Sequence, residues 1–114
     1  MKMRFETCGS FGLLRLDESR LDASVAIQFK DRFRDLTQAE IGDVILDLEQ
    51  VEFLDSSGLG ALVAARKLLG ADRRLELVGL TPPVARVMTL TRMDIIFPIH
   101  ADLAAARAAH LGAA

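Results

Sequence analysis

Alternating apolar and polar residues near the start of the chain predict a pair of β-strands. Charged residues alternate with Met3, Phe5 and Thr7, as expected for a strand with one buried face. A turn-forming Cys-Gly-Ser segment at 8–10 then leads into a second apolar stretch, 11–16. The simplest arrangement of these two segments is an N-terminal β-hairpin.

Helical spacing replaces this alternation in the next segment. Its apolar residues recur every three or four positions and predict one helix: Val25, Ala26, Phe29, Phe33 and Leu36. We expect Asp22 or Ser24 to cap the first turn of that helix, because both side chains accept hydrogen bonds from free amides. The polar segment 38–42 is expected to end it.

The stretch from 44 to 70 contains a strand, a polar turn and a helix. Its strand, 44–48, is aliphatic except for one aspartate, as in a strand that is buried on most of both faces. The D-S-S-G turn at 55–58 follows, and either Asp55 or Ser56 is expected to be the N-cap of the helix. A serine hydroxyl therefore lies where the free amides of the first helical turn point.

The helix after this turn has two different predicted faces. One face is suited to packing against a sheet: Gly58, Ala61, Leu62, Ala65, Leu68 and Leu69. The opposite face carries Leu59, Val63, Arg66 and Lys67. This second face is unusually apolar in its first turn for a surface exposed to solvent, and it lies beside Ser56 and Ser57. We interpret it as a contact patch next to a modifiable serine.

Four further elements are predicted in the last third of the chain. Residues 75–78 have the composition of a strand, and Thr81, followed by two prolines, is expected to cap a helix through its hydroxyl. The apolar run 95–99 is predicted to be a short strand near a sheet edge, because Pro98 cannot donate a ladder hydrogen bond. Alanine-rich residues from Asp102 onward predict a terminal helix.

The order of these elements predicts an α/β fold. A hairpin followed by alternating helices and strands implies a mixed, mostly parallel sheet joined by right-handed crossovers. The loops 17–22 and 55–58 would then open at the same carboxyl edge of the sheet, where partners and ligands of such sheets tend to bind. With 114 residues, of which 51% are hydrophobic, the chain is expected to form one domain, 1–114.

Composition narrows the classes of function. A net charge of -2 and a pI near 5.6 give no attraction for phosphate backbones, so nucleic acid is not an expected partner. Cys8 is the single cysteine, which excludes an internal disulfide and a multi-thiolate metal site and fits a reduced cytoplasmic setting. The longest apolar run, 59–65, is far too short for a bilayer span, and we expect neither export nor membrane insertion.

No cofactor, metal site or catalytic residue is predicted. His100 and His110 come without a carboxylate pattern suited to metal or triad chemistry, and we interpret both as surface histidines. A hydrolase that used Ser57 would lack a neighbouring histidine in the sequence, and there is no Walker-type loop. Gly58 and Gly60 permit close backbone approach, although this spacing alone is weak evidence for nucleotide binding.

The D-S-S-G-L-G motif at 55–60, at the end of an aliphatic strand, is the most specific feature of the sequence. Together with Leu21-Asp22 before the first helix and the segment LELVGLTPPVARVMTLTRMDIIFPIHADLAAA, it resembles the STAS family, the domain of bacterial anti-sigma factor antagonists. The resemblance covers essentially the whole chain. One departure is Ser19-Arg20, where antagonists commonly have Gly-Glu, so that a basic residue replaces an acidic one at the expected partner surface.

This resemblance implies a β-α superhelix and a partner switch without enzymatic activity. In the family, the second serine of the motif, here Ser57, is phosphorylated by a partner that is both an anti-sigma factor and a serine kinase of the histidine-kinase-like ATPase fold. The unphosphorylated antagonist binds that kinase, and a PP2C-type phosphatase restores the serine. Asp22 corresponds to an acidic residue beside the phosphorylation loop. The implied partner-binding residues are Asp22, Asp55, Ser56, Ser57, Gly58, Leu59, Val63 and Arg66.

Alternatives remain open from the residues alone. Helix capping is the alternative role for Ser57, which is a serine near a helix start. Asp22 and Asp55 are as well explained by capping as by partner binding. A neighbouring loop would be the common cover for Leu59 and Val63. A different class of function is also open: a structural STAS subunit, as in a stressosome-like or lipid-transport assembly, whose serine is never modified.

Overall fold

A five-stranded mixed sheet with helices on both faces forms the fold, and the predicted α/β class with a mixed sheet is confirmed. The computed structural model describes residues 1–39 and 42–112. The strands are β1 Met3–Cys8, β2 Phe11–Leu16, β3 Arg20–Leu21, β4 Asp43–Asp47, β5 Phe53–Leu54, β6 Leu75–Val78 and β7 Ile99–His100. The helices are α1 Ala26–Thr37, α2 Ser56–Leu69, α3 Pro82–Leu90, α4 Met93–Ile96 and α5 Leu103–Gly112.

The strand order of the large sheet is β1-β2-β4-β6-β7. The hairpin strands β1 and β2 are antiparallel, and the other three neighbouring pairs are parallel, which confirms the predicted hairpin and the mostly parallel sheet. A second sheet was not predicted. In it, the two-residue strands β3 and β5 pair in parallel, with Leu21 opposite Leu54.

Each face of the large sheet has its own apolar cluster. The larger cluster joins sheet residues such as Leu46 and Leu77 to α1, α2 and α3, whose fully buried contributions include Phe29, Leu62 and Met88. The smaller cluster lies under α5 and consists of Phe11, Leu13, Ile45, Val78 and Ala106. Because both faces are covered, β4 is apolar on both sides from Val44 to Leu46, as its sequence indicated.

The predicted cap of α1 is wrong. The N-cap residue is Val25, and no side chain caps the helix. The backbone makes a turn first, in which the Val25 amide donates to the Asp22 carbonyl at 3.1 Å. Asp22 therefore lies too far ahead of the helix to reach its first amides, and it bonds within its own turn instead.

Two predictions about the later helices need similar correction. Thr81 precedes α3 and the two prolines occupy its first turn as predicted, but the Thr81 hydroxyl donates to the Val51 carbonyl at 2.7 Å rather than capping the helix. In α2, the predicted sheet-facing Leu68 is 43% exposed. Leu69 takes the buried position at this end of the helix, and Leu68 lies with Ile27 in a groove between α1 and α2.

Only the last residue of the predicted strand 95–99 belongs to a strand, and its first two lie in a helical turn. Arg92 adopts a left-handed conformation (φ 60°, ψ 23°) after α3, and the chain then makes one helical turn, α4. Only Ile99 and His100 pair with the sheet, at its edge as predicted. A short apolar run has no periodicity that separates a strand from a helical turn, which explains the error. The terminal helix α5 is confirmed.

Candidate functional site

The small β3–β5 sheet brings together the two loops that the sequence analysis placed at one edge. Leu21 and Leu54 are paired, so Asp22 and Asp55 follow at neighbouring strand ends. The two loops are also bonded directly, because the Ala23 amide donates to Asp55 Oδ2 at 3.4 Å. The D-S-S-G turn and the loop before α1 therefore form one surface.

Asp55 organises this surface. It is the N-cap of α2, and its Oδ1 accepts a hydrogen bond from the Gly58 amide at 2.9 Å. Ser56 is the first residue of the helix, so the structure decides between the two expected caps in favour of Asp55. One carboxylate thus holds both the helix start and the neighbouring loop.

Asp22 orders its own loop. Its Oδ1 accepts hydrogen bonds from the Ser24 amide at 3.0 Å and the Ser24 hydroxyl at 2.6 Å, and its Oδ2 pairs with Arg20 Nε at 3.0 Å. The bond from the Ser24 hydroxyl, followed by the bond from Arg20, lowers the pKa of the Asp22 carboxyl below its ordinary value. Asp22 is therefore a fixed negative charge beside the D-S-S-G turn.

Arg20 is a component of the site that sequence reasoning treated only as a departure from the family pattern. Its guanidinium lies 4.0 Å from the centre of the Phe53 ring, which is a cation–π distance, while it also pairs with Asp22. The parallel register places Arg20 opposite Phe53. The sequence contains one signal of this pairing, because Arg20 and Phe53 each stand directly before a Leu-Asp dipeptide.

Ser56 and Ser57 lie in the first turn of α2, and both are exposed. Among residues 1–39 and 42–112, the structure gives neither hydroxyl a hydrogen-bond partner, so Ser57 is not used as a helix cap. The amides of this turn lack partners within the helix, and the helix dipole is positive here. An anionic group on Ser57 would therefore be favourably placed.

The two glycines of the motif have different environments. Gly58 is buried, and a Cβ there would overlap the Leu21 carbonyl oxygen and lie 2.8 Å from Leu54 Cδ1. Gly60 is exposed, and a Cβ there would have no atom within 4 Å. Packing within this chain therefore requires glycine at position 58. It does not require glycine at position 60.

The predicted contact patch is only partly open to solvent. Leu59 and Val63 are half-buried and pack against the larger core cluster. Arg66 and Lys67 are exposed. The exposed surface of α2 beside Ser57 is therefore formed by small and charged residues, with apolar side chains at its margin.

The interpretation of the two histidines as surface groups is wrong. His100 Nε2 lies 2.7 Å from Glu76 Oε1, and His110 Nε2 lies 3.1 Å from Glu76 Oε2. The Glu76 side chain is only 2% exposed. These residues lie on the α5 face of the sheet and are not part of the surface around Ser57.

A model of the STAS domain family matches residues 2–106. The chain belongs to the STAS domain family. Several of its relatives and structural neighbours are of the anti-sigma factor antagonist type, which is a regulatory and non-enzymatic type of protein. In the described part of this STAS protein, no helix has both the length and the apolar character needed to cross a bilayer.

Three similar proteins illustrate the relationship. The anti-sigma F factor antagonist of Paenibacillus polymyxa is 31% identical over 58 residues, which are 50% of each chain, so the match spans about half the length of this curated relative. An anti-sigma-factor antagonist (STAS) domain protein from Planctomyces limnophilus has a TM-score of 0.85 at 25% identity, covering 94% of this chain and 96% of the other. An anti-sigma factor antagonist from Mycobacterium paratuberculosis has a TM-score of 0.83 at 25% identity, covering 95% and 92%.

Proposed function

We propose that this STAS protein is the antagonist in a partner-switching pathway, binding an anti-sigma factor kinase when Ser57 is unphosphorylated and releasing it when Ser57 is phosphorylated. The observation that carries the proposal is the exposed Ser57 hydroxyl, without a partner among the described residues, in a turn fixed by Asp55. The proposed partners are a serine kinase of the histidine-kinase-like ATPase fold and a PP2C-type phosphatase. The proposed setting is the cytoplasm.

The local geometry supports a switch that acts at the surface. A phosphate on Ser57 would meet the free amides at the start of α2 and the positive end of its dipole, so the helix should persist. The phosphate would also add about 1.5 to 2 negative charges at neutral pH, next to the carboxylates of Asp55 and Asp22. Partner release would then follow from like-charge repulsion and from the cost of desolvating the phosphate.

The proposed contact surface extends from the two aspartates along the first turns of α2. It comprises Asp22, Asp55, Ser56, Ser57, Gly58, Leu59, Val63 and Arg66. Gly58 contributes through its backbone, because its α-carbon is buried against β3. Gly60 adjoins this surface, and its open surroundings would let a partner approach the helix backbone closely.

A structural subunit of a stressosome-like or lipid-transport assembly is the second candidate. The observation that favours it is a group of exposed apolar side chains outside the Ser57 surface, in which Leu90 is 76% and Ile95 is 75% exposed. In an assembly these side chains would be permanently covered, and Ser57 would never carry a phosphate.

Intact-mass spectrometry of the protein from its native cell separates the two candidates. The switch predicts a fraction with the mass of one added phosphate, which disappears on phosphatase treatment and in a Ser57→Ala strain. Ser56→Ala is the matched control and should keep the phosphorylated fraction. A mass that stays unmodified under all growth conditions would favour the assembly.

A further inference from the structure

A buried carboxylate between two histidines lies on the face of the sheet opposite to α1 and α2. Glu76 is on β6, and its two oxygens face His100 of β7 and His110 of α5 at 2.7 Å and 3.1 Å. Asp43, the first residue of β4, completes the group. Single ligand atoms from Asp43, Glu76 and His110 all lie within 4.8 Å of one another.

We propose that Asp43, Glu76 and His110 bind a first-row transition metal ion such as Zn²⁺. One imidazole and two carboxylates form a mixed nitrogen and oxygen donor set, which suits such ions better than Ca²⁺ or Mg²⁺. Zinc ligands lie about 2.0–2.2 Å from the metal and so about 3–3.5 Å from each other. The present separations are therefore within small side-chain movements of a binding geometry.

Arg74 marks the position that the ion would take. Its guanidinium lies 3.3 Å from Glu76 Oε2 and 3.5 Å from Asp43 Oδ2, between the two carboxylates. The Arg74 side chain is 63% exposed and can turn into solvent, whereas Glu76 is held in the sheet. A divalent ion would replace the guanidinium as the positive charge that compensates the buried carboxylate.

The two histidines have different proposed roles. His110 shares Oε2 with Arg74, and its ring packs on Phe11 with the ring centres 5.0 Å apart, which fixes the imidazole near the ion position. His110 would bind through the Nε2 lone pair, with its proton on Nδ1. His100 bonds the other oxygen, Oε1, and is a positioning residue that orients the carboxylate.

The site is separate from the Ser57 surface. Asp43 begins β4, whereas the chain leaves the other end of that strand towards the D-S-S-G turn. Bound metal would link α5 to the sheet, because the ligands come from β4, β6 and α5. The outcome of a metal-binding experiment therefore does not depend on whether Ser57 is phosphorylated.

Calorimetric titration of Zn²⁺ into the full chain, freed of any polyhistidine tag and treated with chelator, tests the proposal. We expect saturation at one ion per chain. His110→Ala and Asp43→Asn should weaken binding at least about 100-fold, and His100→Gln about tenfold, as loss of a ligand and of an orienting group do. Cys8→Ser is the control for a thiol ligand and should bind as the parent protein does.

Arg74→Ala best distinguishes a metal site from a charge cluster that only stabilises the fold. Removal of the competing guanidinium should tighten Zn²⁺ binding, and this variant leaves every proposed ligand in place. Imidazole NMR signals add a direct readout, because the chain has only 2 histidines: the His110 Nε2 signal should shift strongly on addition of Zn²⁺. The proposal is overturned if the parent protein shows no saturable binding, or if His110→Ala, folded by circular dichroism, binds as well as the parent.

Discussion

The α-carbon of Gly58 lies directly against the carbonyl oxygen of Leu21. This contact joins the first turn of α2 to β3, and it fixes the distance between the D-S-S-G turn and the loop that holds Asp22. A methyl group at position 58 would overlap that oxygen, which belongs to the backbone and cannot turn aside. The relative position of the two loops therefore depends on the absence of a side chain.

Gly58→Ala should destabilise the protein, whereas Gly60→Ala should not. Overpacking against backbone at position 58 is expected to cost about 2–3 kcal/mol of unfolding free energy. At the exposed position 60, alanine should stabilise the helix by about 0.5–1 kcal/mol, because it loses less backbone entropy than glycine. Urea unfolding of the two variants gives both values, and equal effects would contradict the close approach at Gly58.

Asp55→Ala removes a helix cap and a loop contact together. The Gly58 amide loses its acceptor, and so does the Ala23 amide, so the unfolding free energy should fall by about 1–2 kcal/mol. Asp55→Asn should lose less stability, because its amide oxygen can still cap the helix although its NH2 cannot accept the hydrogen bond from the Ala23 amide. Equal destabilisation by the two variants in denaturant titrations would contradict a stabilising role for the cap.

The Asp22 carboxyl should make stability depend on pH in a defined direction. Its pKa in the folded protein is lowered by the Ser24 hydroxyl and by Arg20, relative to about 3.9 in the unfolded chain. The folded state therefore binds the proton less readily, and Asp22 stabilises it above the unfolded pKa. This contribution is lost as the pH falls through the folded pKa.

Thermal unfolding of Asp22→Asn beside the parent protein measures this contribution. The difference in unfolding temperature between the two proteins should stay constant from neutral pH down to about pH 5. It should narrow below about pH 4, since the pKa of Asp22 in the unfolded chain lies near 3.9. Ser24→Ala, which removes the first cause of the shift, should reduce the pH dependence. If the difference in unfolding temperature widened in acid, the predicted direction of the pH dependence would be wrong.

The parts of the fold that were predictable are those with a local signal. The hairpin of β1 and β2 was predicted from neighbouring residues and is confirmed, and Asp55 is one of the two caps that were expected for α2. The two-residue strands β3 and β5 are too short to show a period. The last two residues of α4, Ile95 and Ile96, were mistaken for strand because they begin a short apolar run without a longer pattern to identify it.

The site was predictable only where it coincides with a motif. Ser57 and Asp55 belong to one turn, but the contact of Arg20 with Phe53 depends on the pairing of strands that are distant in sequence. The histidines were misjudged for the same reason. Glu76 is 24 residues from His100 and 34 from His110, and the three meet only because β7 pairs with β6 and α5 crosses the sheet.

In the proposed switch, the charge on Ser57 decides partner binding. Calorimetric titration of the anti-sigma factor kinase from the same organism with Ser57→Ala and Ser57→Asp tests it most directly, with Ser56→Ala as the control for the neighbouring hydroxyl. We predict that Ser57→Ala and Ser56→Ala bind the kinase as the unphosphorylated parent does, and that Ser57→Asp binds at least about tenfold more weakly because a carboxylate there faces Asp22 and Asp55. Equal affinity of Ser57→Ala and Ser57→Asp would contradict the account.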